Sequence, residues 1–180
     1  MSGTVGDNTA RASGVIASAG GGGKILQVQS YSTAALSSQS DTSSFVDISS
    51  FLVTLTPAAT DSRIWINVSI GMWSTDQESA IWAVERAISG GATELCPPIG
   101  TAAATRLGGH GKGYSPGSTY GHTASFSILD VTHNTTSAIT YQLQWAVQGN
   151  AYLNRSSADP DNAQNGARTV SGMTAWEIGA

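Results

Sequence analysis

Cysteine and charge are both scarce in this sequence, and each shortage excludes a class of protein. Cys96 is the only cysteine, so the chain has no disulfide framework and no cluster of thiolate metal ligands. We interpret it as a small buried apolar side chain. Charged residues make up 11% of the chain, against about 25% in a typical soluble domain. The net charge of −4 argues against a nucleic-acid partner, because phosphate backbones attract basic surfaces.

Long apolar runs and chemical motifs are missing as well. No run approaches the roughly 18–20 apolar residues that cross a bilayer, and the first residues lack the basic start and apolar core of a secretory signal. We therefore expect no membrane partner. His110, His122 and His133 do not stand in a metal-ligand spacing, so no metal site is predicted. The glycine-rich piece 108–113 departs from the phosphate-loop pattern and is interpreted as a flexible surface loop. With no nucleophile motif and no evident pair of facing acids, we predict no catalytic residue, no cofactor and no enzyme activity.

What the sequence does contain is a series of short segments that alternate between apolar and polar residues. The alternation is cleanest over Arg63–Ser74 and Ile139–Val147, and a period of two indicates a strand. Ala80–Ser89 is compatible with a helix or a strand, and the strand is favoured. The other predicted strands are Lys24–Tyr31, Ser44–Ile48, Phe51–Thr56, His122–Val131 and Ser171–Ala180. About eight strands without a convincing helix predict an all-β antiparallel β-sandwich of the jelly-roll type.

Residues 1–23 differ from the rest of the chain. They lack a sustained period, and they end in four glycines. Such a segment cannot bury enough apolar surface to fold alone. We predict that residues 1–23 form an extended arm that docks on a neighbouring chain or a larger assembly, and that residues 24–180 form one head domain.

Aromatic residues on the second face of a predicted strand point to a partner. Trp65 and Trp73 lie on the face opposite the apolar row that runs from Ile64 to Met72. Because a sandwich needs only one buried face per sheet, tryptophan on the other face indicates burial against another subunit. The competing interpretation is a sugar-stacking platform, for which the further candidates are Tyr114, Tyr120 and Tyr152.

The last predicted strand ends the sequence with an apolar stretch. Trp176 and Ile178 fall on one face of it, and Met173 and Glu177 fall on the other. We predict that Trp176 and Ile178 are buried in the sandwich and that Met173 or Glu177 lies near a symmetry mate. Three Glu177 carboxylates on one axis would then need neutralisation by arginine or a cation. The candidates for the trimer interface are therefore Trp65, Trp73, Met173, Trp176 and Glu177.

Four short segments carry a resemblance to a known family. They are Gly23–Gln29, Thr42–Asp47, Leu55–Pro57 and Thr174–Ala180. In these segments the chain resembles the small β-sandwich heads of marine bacteriophage virion proteins, of the sort found at fibre tips. The resemblance implies a tumour necrosis factor-like or complement-type jelly roll, and a homotrimer whose C-terminal strands lie near the three-fold axis.

The function expected from this resemblance is structural. Since only 23 residues precede the head, we expect no fibre shaft, which favours a capsid decoration or a short head-fibre subunit. The prediction is a trimeric bacteriophage virion protein, made in the host cytoplasm and displayed on the virion surface. Residues 1–23 would anchor it to other virion proteins. The alternative is the tip of a tail fibre that attaches to a host receptor or surface glycan.

Overall fold

The structure is a computed structural model that describes residues 23–162 and 166–180. The predicted arm, except for Gly23, lies outside the described residues, so the division of the chain into arm and head stays a prediction. The described part contains eleven strands and no helix, and therefore no helix that could span a membrane. The strands are β1 (Ile25–Thr33), β2 (Ser37–Gln39), β3 (Val46–Leu55), β4 (Arg63–Thr75), β5 (Ser79–Ile88), β6 (Thr93–Leu95), β7 (Gly111–Tyr114), β8 (His122–Asp130), β9 (Ile139–Val147), β10 (Ala151–Leu153) and β11 (Ser171–Ile178).

The strands form two antiparallel sheets. In the first sheet the long strands lie in the order β1–β11–β4–β8, and the short strands β10 and β2 extend it beside the end of β4. In the second sheet the order is β3–β9–β5, and β5 pairs on its other edge with β6 and β7. Along the chain the long strands pass repeatedly from one sheet to the other, which is the connectivity of a jelly roll. The predicted all-β sandwich is confirmed.

The core lies between the two sheets and follows from the alternation in the sequence. In β4 the inward side chains are Ile64, Ile66, Val68 and Ile70, and in β9 every second residue from Ile139 onward is buried. The largest fully buried side chains are Trp82, Trp145, Tyr141, Phe51, Ile48, Ile64, Ile66, Ile70, Ile139, Leu143, Leu153 and Met173. Each sheet therefore buries one face against the other and leaves its second face for other contacts.

Two segments form strands although the sequence left one of them ambiguous and predicted a loop for the other. The ambiguous segment at 80–89 is β5, as favoured. The glycine-rich piece 108–113, predicted as a flexible loop, instead contributes most of β7, which pairs with β5. Gly113 is needed there because a Cβ at this position would overlap the ring of Trp73. The glycines allow a strand to lie close over two tryptophans of the core.

Candidate interaction face

The outer face of the first sheet carries large apolar side chains at the end where β1 begins and β11 finishes. We call this surface the apolar face. Its members are Ile25, Leu26, Val28, Trp65, Leu129, Val131, Trp176 and Ile178. They come from β1, β11, β4 and the end of β8, so four neighbouring strands contribute to one surface.

The strand register makes the apolar face continuous. Val28 is paired with Trp176, Trp176 with Trp65, and Trp65 with Leu129. Side chains opposite each other on one face of a sheet lie within contact distance. The rings of Trp65 and Trp176 stack at 4.9 Å between centroids with 28° between their planes. The pair forms a flat apolar centre for this surface.

Six side chains of the apolar face are substantially exposed in the single chain. Their exposed fractions lie between 40% and 55%: Ile25, Leu26, Val28, Trp65, Leu129 and Val131. Six large apolar side chains at this exposure leave on the order of 500 Å² of apolar surface, near the upper end of the largest patch on a typical monomer. Patches of this size commonly mark contact surfaces.

The surroundings of the apolar face are polar. The next row across the same sheet face consists of Ser30, Thr174, Asn67 and Ser127. Two exposed cations adjoin this surface: Lys24 precedes β1, and Arg63 is paired with Ile178 within the apolar face. An apolar centre with a rim of hydroxyl and amide groups matches the composition of protein–protein interfaces.

Three of the five predicted interface residues are instead inside the sandwich. Trp73 is buried because a bulge between Ile70 and Trp73 shifts the register of β4 against β8, and a shift by one residue turns the side chain to the other face. Met173 and Glu177 are also buried within the single chain. These three side chains have no surface to offer a partner, and only Trp65 and Trp176 remain as candidates.

The predicted faces of the last strand are thus reversed. Met173, Ala175 and Glu177 point into the sandwich, while Trp176 and Ile178 are half-buried on the outer face. Three Glu177 carboxylates cannot converge on an axis from such positions. The physical reason is that Trp176 stacks on Trp65 at the outer face, while the hydrogen-bond donors to Glu177 lie inside the sandwich.

The buried Glu177 ties together chain segments at this end of the sandwich. Its carboxylate accepts hydrogen bonds from Gln27 Nε2 at 2.6 Å and from the backbone N–H of Ala58 at 2.7 Å. Burial by itself would raise the pKa of Glu177, but hydrogen bonds from Gln27, Ser62 and the backbone at Ala58 and Ala59 outweigh it, so the pKa lies below its ordinary value. Glu177 therefore stays ionised and holds the β3–β4 loop to β1.

The three candidate glycan-contact tyrosines do not share a strand or a sheet. Tyr114 and Tyr120 are exposed; Tyr114 lies in β7 of the second sheet, and Tyr120 lies in the following loop. Tyr152 lies in β10 of the first sheet, half-buried, with the Arg155 guanidinium 4.1 Å from its ring centroid. The three rings therefore belong to different parts of the fold.

The rings of His110 and His133 both contact backbone groups inside the fold. Val84 N–H donates to His110 Nδ1 at 3.0 Å, and His110 Nε2 lies 2.8 Å from the Cys96 carbonyl oxygen. His133 Nε2 lies 2.7 Å from the Ser62 carbonyl oxygen. Within residues 23–162 and 166–180, no three ligating side chains are grouped so that they could hold a metal ion.

A buried polar network in the core was missed at the sequence level. Arg86 of β5 contacts Asp130 of β8, and Tyr141 of β9 donates to the same carboxylate at 2.9 Å. Arg86 and Asp130 both occupy inward positions of their strands, in phase with apolar neighbours. Two residues of opposite charge at inward strand positions are the sequence pattern that indicates a buried ion pair.

Comparison with known proteins gives a limited likeness. No protein-family model and no curated protein matches the chain. Among solved structures it is similar to a structure of the infectious bursal disease virus Gx strain, with 15% identity and a TM-score of 0.36, over 86% of this chain and 38% of that chain. It is also similar to the VP2 subviral particle of infectious bursal disease virus, with 13% identity and a TM-score of 0.34, over 87% and 39% of the two chains. The chain spans less than two-fifths of the length of these structures.

Proposed function

We propose that this chain is a structural protein of a bacteriophage particle, that it assembles as a homotrimer, and that the apolar face forms its subunit contacts. The observation that carries the proposal is the stacked Trp65–Trp176 pair at the centre of a continuous apolar surface outside the core. The resemblance of the sequence to phage virion heads supports a homotrimer that belongs to a phage particle.

The size of the apolar face supports burial against further copies of the same chain. A stable interface buries about 800 Å² on each partner. The apolar face provides on the order of 500 Å² of this as its centre, and the neighbouring row of serine, threonine and asparagine provides a rim. No acidic side chain lies on these rows, but Arg63 is paired with Ile178, so the contacts must leave its guanidinium in water or offer it acceptors on the partner.

The remaining parts of the proposal concern location. Residues 1–23 anchor the trimer to other virion proteins, and the sandwich is displayed on the virion surface. The apolar face lies where β1 begins: Gly23 N–H donates to the Gly179 carbonyl oxygen at 3.0 Å, and Gly179 N–H donates to the Lys24 carbonyl oxygen at 2.8 Å. Gly23 therefore lies next to the proposed contacts.

Sedimentation equilibrium on matched variants tests the assembly. We expect wild-type protein to sediment at three times the chain mass of 18.4 kDa. Leu129→Glu should weaken association at least about tenfold, because it would bury an unpaired carboxylate. Ser125→Glu is the control, since it places the same charge on the same face of β8, four residues from Leu129 and outside both the apolar face and its polar rim. A monomeric wild type, or a Leu129→Glu variant that associates like the control, would overturn the proposal.

Purified particles test the location. Mass spectrometry should find the chain in particles at a copy number divisible by three. A variant that begins at Gly23 should remain trimeric but fail to join particles in a reconstitution assay. Absence of the wild-type chain from particles would refute the virion assignment and leave the trimer to be judged by sedimentation alone.

A further inference from the structure

A polar cleft lies on the second sheet, on the opposite side of the molecule from the apolar face. It has a volume of about 510 Å³, within the range of small-ligand pockets. Its lining includes Asp41, Ser79, Ile81, Arg106, Leu107 and Lys112. Ile81 and Leu107 supply an apolar floor, and hydroxyl and charged groups surround it.

One wall of the cleft is a loop whose shape is set by its own hydrogen bonds. Ala103 and Arg106 exchange two backbone hydrogen bonds of 3.2 and 2.9 Å, which close a tight turn. Gly100 N–H donates to the Gly109 carbonyl oxygen at 3.3 Å, and His110 N–H donates to the Trp82 carbonyl oxygen at 2.8 Å, so the base of the loop is fixed on β5. Arg106 is therefore presented from a closed loop, which reduces the ordering that a ligand would require.

The cations of the cleft have no protein counter-charge at bonding distance. Among residues 23–162 and 166–180, neither Arg106 nor Lys112 makes an ion pair. Asp41 also lines the cleft but bridges to neither cation. Two cations against one acid leave the cleft positive in a chain whose net charge is −4, which favours an anionic ligand.

An exposed aromatic residue follows Lys112 by two positions along β7. Lys112 is paired with Ile81, and Tyr114 is paired with Ser79. Because residues two apart in a strand share a face, Tyr114 lies on the cleft side of β7 next to Lys112. Its side chain is 59% exposed, so its ring is free to stack on a ligand.

We infer that this cleft binds a carboxylate-bearing saccharide, with Arg106 and Lys112 on the carboxylate and Tyr114 against a sugar ring. Serine and threonine hydroxyls suit the hydroxyls of the sugar, and the apolar floor suits its C–H face. The inference goes beyond the proposed assembly and does not depend on it, since the two surfaces belong to different sheets.

Isothermal titration with trigalacturonic acid and its methyl ester tests the inference, because the two probes differ in their carboxylate charge. We expect saturable binding of the acid, with at least about tenfold weaker binding of the ester. Arg106→Gln and Lys112→Gln should each weaken binding of the acid about five- to tenfold, and Tyr114→Ala should also weaken it. Arg168→Gln is the control, since it removes one positive charge from an exposed position outside the cleft.

Three results would overturn the inference. The first is no saturable binding of the acid by correctly folded protein at millimolar concentration. The second is binding that Arg106→Gln and Lys112→Gln leave unchanged. The third is inorganic sulfate that binds as tightly as trigalacturonic acid, which would show a general anion patch. Sedimentation of the same samples separates this outcome from a failure of the proposed trimer.

Discussion

The ion pair of Arg86 and Asp130 joins the two sheets across the interior, and substitution of either residue should lower folding stability. Arg86 Nη1 lies 2.7 and 2.8 Å from the two oxygens of Asp130. The same carboxylate accepts hydrogen bonds from Tyr141 and from the Thr132 backbone N–H, both at 2.9 Å. Burial alone would raise the pKa of Asp130, but the hydrogen bonds from Arg86, Thr132 and Tyr141 outweigh it and hold the pKa below its ordinary value. Asp130 is therefore charged at neutral pH although it is fully buried.

The two ends of the pair should respond unequally to substitution. Arg86→Met strands a buried carboxylate, which costs about 3–5 kcal/mol of folding stability. Asp130→Asn should cost less, about 2 kcal/mol, because Arg86 keeps its ion pair with Glu94, whose side chain is 47% exposed. The double variant Arg86→Met, Asp130→Asn should be more stable than Arg86→Met alone, since it removes both charges from the core.

Urea unfolding followed by tryptophan fluorescence measures these differences, and a double-mutant cycle isolates the coupling. Above about pH 4, the ordinary pKa of aspartate, the lowered pKa of Asp130 stabilises wild-type protein, and this contribution is lost as the pH falls through the folded-state value. The loss of folding stability caused by Arg86→Met should therefore become smaller at lower pH, because the unpaired Asp130 carboxylate takes up a proton. An Arg86→Met loss below about 1 kcal/mol, or a double variant whose loss equals the sum of the single losses, would refute this account.

Three further predictions rest on single side chains. Cys96 is fully buried and burial raises the pKa of its thiol, so a thiol reagent should label native protein far more slowly than urea-unfolded protein; equal rates would contradict this burial. His110 must be neutral to accept the Val84 N–H, and burial lowers its pKa. The stabilisation that neutral His110 gives the folded protein is present above about pH 6.5 and is lost as the pH falls toward its lower folded-state pKa. The melting temperature of His110→Gln should therefore depend less on pH between 7 and 5 than that of the wild type. Parallel plots of melting temperature against pH would contradict this. Gly113→Ala should destabilise by about 1–3 kcal/mol, because the added methyl group overlaps Trp73 in a packed core; a chemical-denaturation midpoint equal to that of the wild type would show that the strand can move away.

The strands of the sandwich were predictable because their inward positions are uniformly apolar. The alternation in β3, β4 and β9 states both the period and the buried face, and the structure confirms both over most of their length. Trp73 departs from its predicted face because a bulge inserts an extra residue into β4. A bulge depends on the partner strand, and the alternation within one strand does not contain that information.

The reversed face of β11 has a different cause. Judged by size and hydrophobicity, Trp176 belongs inside and Glu177 outside, but each side chain is placed by neighbours that are distant in sequence. Trp176 stacks on Trp65 across the sheet, and Glu177 receives donors from Gln27 and the β3–β4 loop. Of the five predicted interface candidates, only Trp65 and Trp176 lie on the outer face, and their apolar neighbours on β1 and β8 emerge only once the strand register joins them.

The two proposed surfaces make a joint prediction because they occupy opposite sheets. The apolar face belongs to the first sheet and the cleft to the second, so an assembly that buries the first leaves the second open to solution. Leu129 belongs to the first sheet and Arg106 to the cleft on the second, and effects at distant, independent sites add. The double variant should therefore lose association as Leu129→Glu does and saccharide affinity as Arg106→Gln does. If Leu129→Glu alone also weakened saccharide binding, the cleft would have to lie between subunits, and the assignment of each surface to a separate role would be wrong.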